Sequence, residues 1–299
     1  MTLLVALVLG IIQGVFMFVP VSSTSHLVLA QTALRDRGVA LPAPDSPELI
    51  LFDLVVHVGT LVSVVLVMGD GIRELAQGVR EDRLAGRLRP GGAFSEAVGS
   101  RLVLLMLLSV AVTGVLGLAF QGLLTRVFAS PTLVAGALVL TGAMLWWTDA
   151  MTPQRSGRRL RFGWRGPAQV TVTVAVLVGV AQAVALAPGI SRSGTTIFAA
   201  LLLGMQRTMA ARYSFYVAIP TILAATGVQT LQVAVGDGFG TISWGAMAVG
   251  FVVAAAVGTA ALWLVLRLLE AARFRVFSVY VWALAVVVLV SGVGVGHAG

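Results

Sequence analysis

One arginine, one histidine and two clusters of hydroxyls stand out in this chain because the sequence around them is apolar. Arg192 lies in the stretch Pro188-Gly189-Ile190-Ser191-Arg192-Ser193-Gly194-Thr195-Thr196, and His26 follows Pro20-Val21-Ser22-Ser23-Thr24-Ser25. A guanidinium stays charged at any working pH, and its planar fork matches the oxygens of a phosphate. An arginine at membrane depth costs about 2.5–3.5 kcal/mol on insertion scales, so it is a functional candidate by default. The competing role for Arg192 is a structural ion pair with Asp53. An imidazole beside hydroxyls can move a proton in phosphoryl chemistry or be phosphorylated as a nucleophile. His26 could equally be a hydrogen-bonded packing residue. Ser23 reads as nucleophile, phosphate ligand or helix cap, and one serine can fill more than one of these roles.

Both stretches interrupt longer apolar segments, residues 10–29 and 179–198, and the two segments resemble each other. Each opens with Gly-x-x-Gln, continues apolar to a proline and a hydroxyl cluster, and turns apolar again. Pro20 cannot continue the ladder of a preceding helix, so that helix is predicted to stop near Val19. Ser22, Ser23 and Thr24 then offer caps for a helix running to about Leu34. Pro188 and Gly189 break the chain a second time, and Ser191 can cap a restart through Ser193 and Gly194. Each break thus presents a helix N-terminus, whose free N–H groups and dipole attract an anion. Asp53 and His57 are four residues apart and share one helix face. They either line the cavity, holding a cation or a proton, or form an interhelical hydrogen-bonded pair.

The chain that must position these groups has 299 residues, 58% hydrophobic and 11% charged, with a mean hydropathy of +0.99. Soluble domains carry about 25% charged residues. The fold class expected is therefore an all-α polytopic membrane protein. Apolar runs predict six spans, near 50–69, 101–122, 131–150, 213–233, 243–266 and 276–296. Two longer segments, 2–34 and 168–206, read as broken helical hairpins. No alternating ten-residue pattern of the kind a β-barrel needs is visible. The absence of cysteine excludes disulfides and thiolate catalysis. The first apolar run lacks a basic leader, since the first arginine is Arg35, and it reads as mature structure rather than a signal peptide. Trp146, Trp147, Trp164 and Trp282 read as interfacial anchors, and His297 as a bystander at the tail.

There is no lysine, and the net charge of +8 comes from twenty arginines beside the spans, which argues for topology rather than a nucleic-acid partner. Six lie in 70–101, five in 151–165, two in 207–212 and three in 267–275, sixteen on one face. Arg35, Arg37 and Arg126 lie on the other, and Arg192 stands apart. The bias puts the first group in the cytoplasm and both termini outside. The loop 70–100 reads as a solvated cytoplasmic segment. Each half, 1–150 and 151–299, is then a hairpin followed by three spans, with 151–167 as the boundary. Because three spans change sides, the second hairpin enters from the face opposite the first. This is an inverted repeat, which brings two hairpin tips together within the membrane.

On these residues the chain resembles the undecaprenyl-diphosphate phosphatase family known from bacitracin resistance. The resemblance rests on Pro188–Thr196, on Pro20–His26 and on the segment from Phe52 to Leu61, and it extends through the order of the spans. It implies an inverted-repeat fold of the cell membrane that removes the terminal phosphate of a polyprenyl diphosphate, with a divalent cation, magnesium or calcium, assisting. Carried over residue by residue, Arg192 clamps the diphosphate, Ser191 and Ser193 support it, His26 transfers a proton or attacks, and Ser23 contacts or attacks phosphorus. Ser22, Thr24, Gly194, Thr195 and Gln13 complete the substrate contacts expected. The family's acidic motif ends in glutamate where this chain has Met17, and a hard cation wants oxygen ligands. Asp53 is the carboxylate that could take its place as metal ligand. The partners expected are a polyprenyl diphosphate lipid and the bilayer, with a homodimer as one open assembly state. The alternative function is a protein that binds or translocates a polyprenyl phosphate without cleaving it.

Overall fold

Helix formation here follows from apolar runs that must satisfy their backbone internally, because hydrocarbon offers no hydrogen-bond partner. A computed structural model describes the chain apart from residues 45, 89–93, 121, 124–129, 151–165, 236–241 and 292–299. Ten α-helices are described: α1 Leu3–Phe18, α2 Ser23–Asp36, α3 Pro47–Leu84, α4 Val98–Ala119, α5 Pro131–Ala150, α6 Val172–Val184, α7 Arg192–Leu202, α8 Arg207–Val235, α9 Trp244–Glu270 and α10 Arg275–Ser291. There is no strand among the described residues. Five helices, α3, α4, α5, α8 and α9, are long and apolar enough to cross a membrane. The sixth expected span, α10, has 17 described residues, about 26 Å at 1.5 Å per residue. Many large apolar side chains, Leu66, Leu118 and Val290 among them, point outward, as a lipid-facing surface requires. Arg126, Trp164, His297 and most of the expected boundary at 151–167 lie outside the described residues.

Helices meet where small residues let backbones approach. A methyl added at Gly14 of α1 would lie 3.0 Å from the Ala254 carbonyl oxygen of α9, and one at Gly59 of α3 would lie 2.7 Å from that of Phe251. The long helix α9 therefore sits between α1 and α3. In the same way α6 packs on α4 through Gly179, whose added methyl would lie 2.7 Å from the Ser109 carbonyl oxygen. Helices α5 and α10 form the third large pairing. There Trp282 lies over Gly142 and donates Nε1–H to the Val139 carbonyl at 3.1 Å, so it packs helices together rather than only anchoring the surface.

The expected loop after residue 70 is different in the structure. α3 runs on to Leu84, with non-helical dihedrals at Met68 marking a kink. Hydropathy ends where the polar sequence begins, but that sequence is rich in helix formers, and the helix continues. At its far end Asp82 is buried, accepting from the Ser100 backbone N–H at 2.8 Å and pairing with Arg87 at 3.1 Å.

Candidate active site

Both breaks form where the prolines and hydroxyls place them. α1 ends at Phe18 with Val19 as its cap, and α2 starts at Ser23. Ser22 takes the left-handed conformation there, at φ +69°, and makes no capping bond. Its hydroxyl bonds that of Ser25 at 3.0 Å. At the second break Ser191 caps α7 by accepting the Gly194 N–H at 3.2 Å. Gly189 turns the chain at φ +86°, and a Cβ there would meet the Val134 carbonyl oxygen at 2.5 Å, so no other residue fits. Thr141 of α5 holds the turn, donating to the Gly189 carbonyl at 2.9 Å and accepting the Ser191 N–H at 3.2 Å.

The two tips touch. The Gly189 N–H donates to Ser25 Oγ at 3.0 Å. The Ser193 hydroxyl reaches the Phe18 carbonyl at 3.5 Å, and Arg192 reaches Met17 Sδ at 3.5 Å. Beside them opens a cavity of about 200 Å³, lined among others by Met17, Ser23, Thr24, His57, Gln182 and Arg192. Arg192 is in none of the ion pairs among the described residues. Asp53 instead accepts both contacts of the Gln31 amide, at 3.1 and 3.4 Å. The structural ion pair between Arg192 and Asp53 is thus not formed. A thioether is a weak acceptor, so the guanidinium faces the cavity without a neutralising partner.

Of the residues expected at the site, Ser22, Ser23, Thr24 and Arg192 line this cavity. Ser191, Ser193, Gly194 and Thr195 are buried and outside its lining, where they shape the start of α7. Gln13 is buried below Met17, donating its amide to Sδ at 3.6 Å. His26 also lies outside the lining, stacked on Phe16 with ring centroids 3.8 Å apart. Both its nitrogens are engaged, Nδ1–H with the Ser22 carbonyl at 2.8 Å and Nε2 with the Tyr280 hydroxyl at 2.8 Å.

Gln182 and Thr221 are polar lining residues that reading the sequence missed, although the repeated Gly-x-x-Gln pattern marks Gln182 as the counterpart of Gln13. Gln182 is buried, and its amide donates to Thr113 Oγ1 at 3.1 Å and Thr221 Oγ1 at 3.0 Å. Both threonines give their own protons to backbone carbonyls, so the amide nitrogen must face them. That leaves the Gln182 carbonyl oxygen without a partner.

A divalent cation fits these residues poorly. No carboxylate lines the cavity, and no cluster of three histidine, aspartate or glutamate side chains exists among the described residues. Hard cations take carboxylate and carbonyl oxygens, and the side chain at position 17 offers sulfur. Asp53, the expected ligand, is outside the lining and engaged by Gln31.

The family described as bacitracin resistance protein BacA matches residues 6–287, nearly the whole chain. The chain belongs to the BacA family. It is 47% identical to an undecaprenyl-diphosphatase of Halorhodospira halophila, over 97% of each chain. A second undecaprenyl-diphosphatase, from Alkalilimnicola ehrlichii, is 48% identical over 95% of each. A third, from Desulforapulum autotrophicum, is 35% identical over 98% of this chain and 99% of its own. The two BacA stretches singled out by residue chemistry, around His26 and Arg192, are therefore the two that the fold brings into contact.

Proposed function

We propose that this chain is an undecaprenyl-diphosphatase of the bacterial cell membrane, which hydrolyses undecaprenyl diphosphate to the monophosphate carrier lipid used in cell-wall synthesis and so contributes to bacitracin resistance. The observation that carries this reading is the Arg192 guanidinium, unpaired with any carboxylate among the described residues and lining a cavity with Ser23 and Thr24. A membrane protein tolerates such a charge where an anionic ligand completes it. Arg192 would grip the diphosphate with its two-pronged donor face. The hydroxyls of Ser23 and Thr24 and the N-terminus of α2 would add donors to the phosphate oxygens. Preorganised donors of this kind stabilise the charge that builds up as phosphorus is attacked.

The arginine bias supports an orientation with both termini outside. In that orientation the cavity lies in the outer half, because Ile222 and Ala225 sit beyond the middle of α8, whose arginine end is cytoplasmic. Two halves of inverted topology, 1–150 and 151–299, are supported by the packing. α1 lies on α9, its counterpart α6 lies on α4, and α5 lies on α10. A two-fold exchange of halves would generate this pattern. Phosphate release from undecaprenyl diphosphate by the purified protein in detergent tests the reading, and no release above the Arg192→Ala variant would sink it. One observation favours a second reading, lipid-phosphate binding or translocation without cleavage. Met17 removes a carboxylate that could serve hydrolysis. Tight lipid binding without phosphate release would support it.

A further inference from the structure

Hydrolysis of a diphosphate needs a group that accepts a proton from the attacking water, and the cavity offers few. Arg192 carries no free lone pair at working pH, and the Gln182 carbonyl does not take up a proton. The serine and threonine hydroxyls are poor bases. Among the described residues no carboxylate lines the space. His57 remains, and its tautomer follows from one contact. Its Nδ1 lies 2.6 Å from the Asp53 carbonyl oxygen, one turn earlier on α3. A carbonyl can only accept, so Nδ1 carries the proton and Nε2 of the neutral ring holds the lone pair. Among the described residues Nε2 has no hydrogen-bond partner. His26 is anchored through Nδ1 in the same way, but Tyr280 occupies its Nε2 and the ring lies outside the cavity lining.

We propose that Nε2 of His57 is the general base that takes a proton from the water attacking the terminal phosphorus. This rests on the diphosphatase reading above. The water oxygen forms the new bond to phosphorus as the bond to the bridging oxygen breaks. The electron pair of that broken bond leaves with the lipid monophosphate. The water's proton goes to Nε2, which releases it to solvent as inorganic phosphate departs. Holding Nδ1–H on a carbonyl keeps the ring in this tautomer and fixes its direction, while Arg192, which lines the same cavity, neutralises the phosphate. His57 supplies here the proton acceptor that Met17 cannot.

Base catalysis by His57 gives kcat/KM an acid limb, because protonating Nε2 removes the acceptor. Arg192 on α7 is the charged side chain that lines the cavity with the ring, while the Asp53 carboxylate, one turn earlier on α3, is engaged by Gln31 of α2 outside it. α1 has no titratable side chain. Arg101 of α4, Arg207, Arg212, Tyr213 and Tyr216 of α8, and Arg267 and Glu270 of α9 all lie outside this cavity. The test is the pH profile of phosphate release from undecaprenyl diphosphate by the full chain in detergent. His57→Asn keeps an amide N–H for the Asp53 carbonyl and lacks the basic nitrogen. It should lose about 10²–10⁴-fold in kcat with KM within about threefold, and the acid limb should vanish. His57→Gln serves as a second variant if the first does not fold. An acid limb that persists in the His57 variants and disappears in His26→Asn would overturn the proposal. Wild-type protein that releases no phosphate would remove the diphosphatase reading itself, and the role of His57 with it.

Discussion

Met17 and Arg192 lie 3.5 Å apart, with sulfur where a carboxylate would form an ion pair. Among the described residues the guanidinium is therefore left without a carboxylate partner, and on the proposed function it is the group that holds the ligand. Arg192→Ala should weaken binding of undecaprenyl diphosphate about 100-fold, since charge-assisted hydrogen bonds contribute about 1.5–3 kcal/mol each. A competition assay with labelled lipid measures it, and Arg192→Lys should recover only part because an ammonium is a point charge. Met17→Glu places a carboxylate beside the guanidinium. Phosphate release should become sensitive to chelator in that variant, and lipid affinity in chelator should fall as the new carboxylate competes with phosphate. Rates measured with magnesium and with chelator check both. Arg192 was legible as a lining residue because a charge is rare in apolar surroundings, and Ser23 because it stands in a run of four hydroxyls beside a proline break. The contrast between His26 and His57 was not, because it depends on the Tyr280 hydroxyl, 254 residues from His26.

The elements owe their shape to a few backbone positions. Gly189 has positive φ and a carbonyl where a Cβ would stand. Gly189→Ala should destabilise the detergent-solubilised protein by at least about 1–3 kcal/mol and lower its unfolding temperature, with loss of lipid binding in the fraction that folds. Ser25→Ala is milder in kind. It leaves the buried Gly189 N–H without its acceptor, at a cost of about 1–3 kcal/mol. Thermal unfolding of the two variants side by side checks the order. Pro20, Pro188 and Ser191 located both breaks from sequence because their effects are local. Hydropathy missed the extension of α3 to Leu84, since a window that scores apolarity ends where a helix merely turns polar.

The whole molecule is held by pairings between its halves, α1 on α9, α4 on α6 and α5 on α10. With no cysteine in the chain, single cysteines report the sidedness of this arrangement directly. Gly38→Cys should react with a membrane-impermeant maleimide added outside intact cells, and Ala85→Cys only after permeabilisation. Labelling of both from the same side would contradict the proposed orientation. The arginine count predicts an order of crossings that this labelling tests, whereas which helix lies on which is written in small residues such as Gly14 and Gly179 whose partners no linear pattern names. The hydrogen bond from Gly189 to Ser25 closes a separation of 164 residues. During synthesis Ser25 must therefore wait, its partner unmade, until the second break has been synthesised and packed against it. A partly made chain has Ser23 and His57 but no guanidinium beside them, so on the function proposed above a nascent chain gains its grip on a diphosphate only once residue 192 and its break have been made.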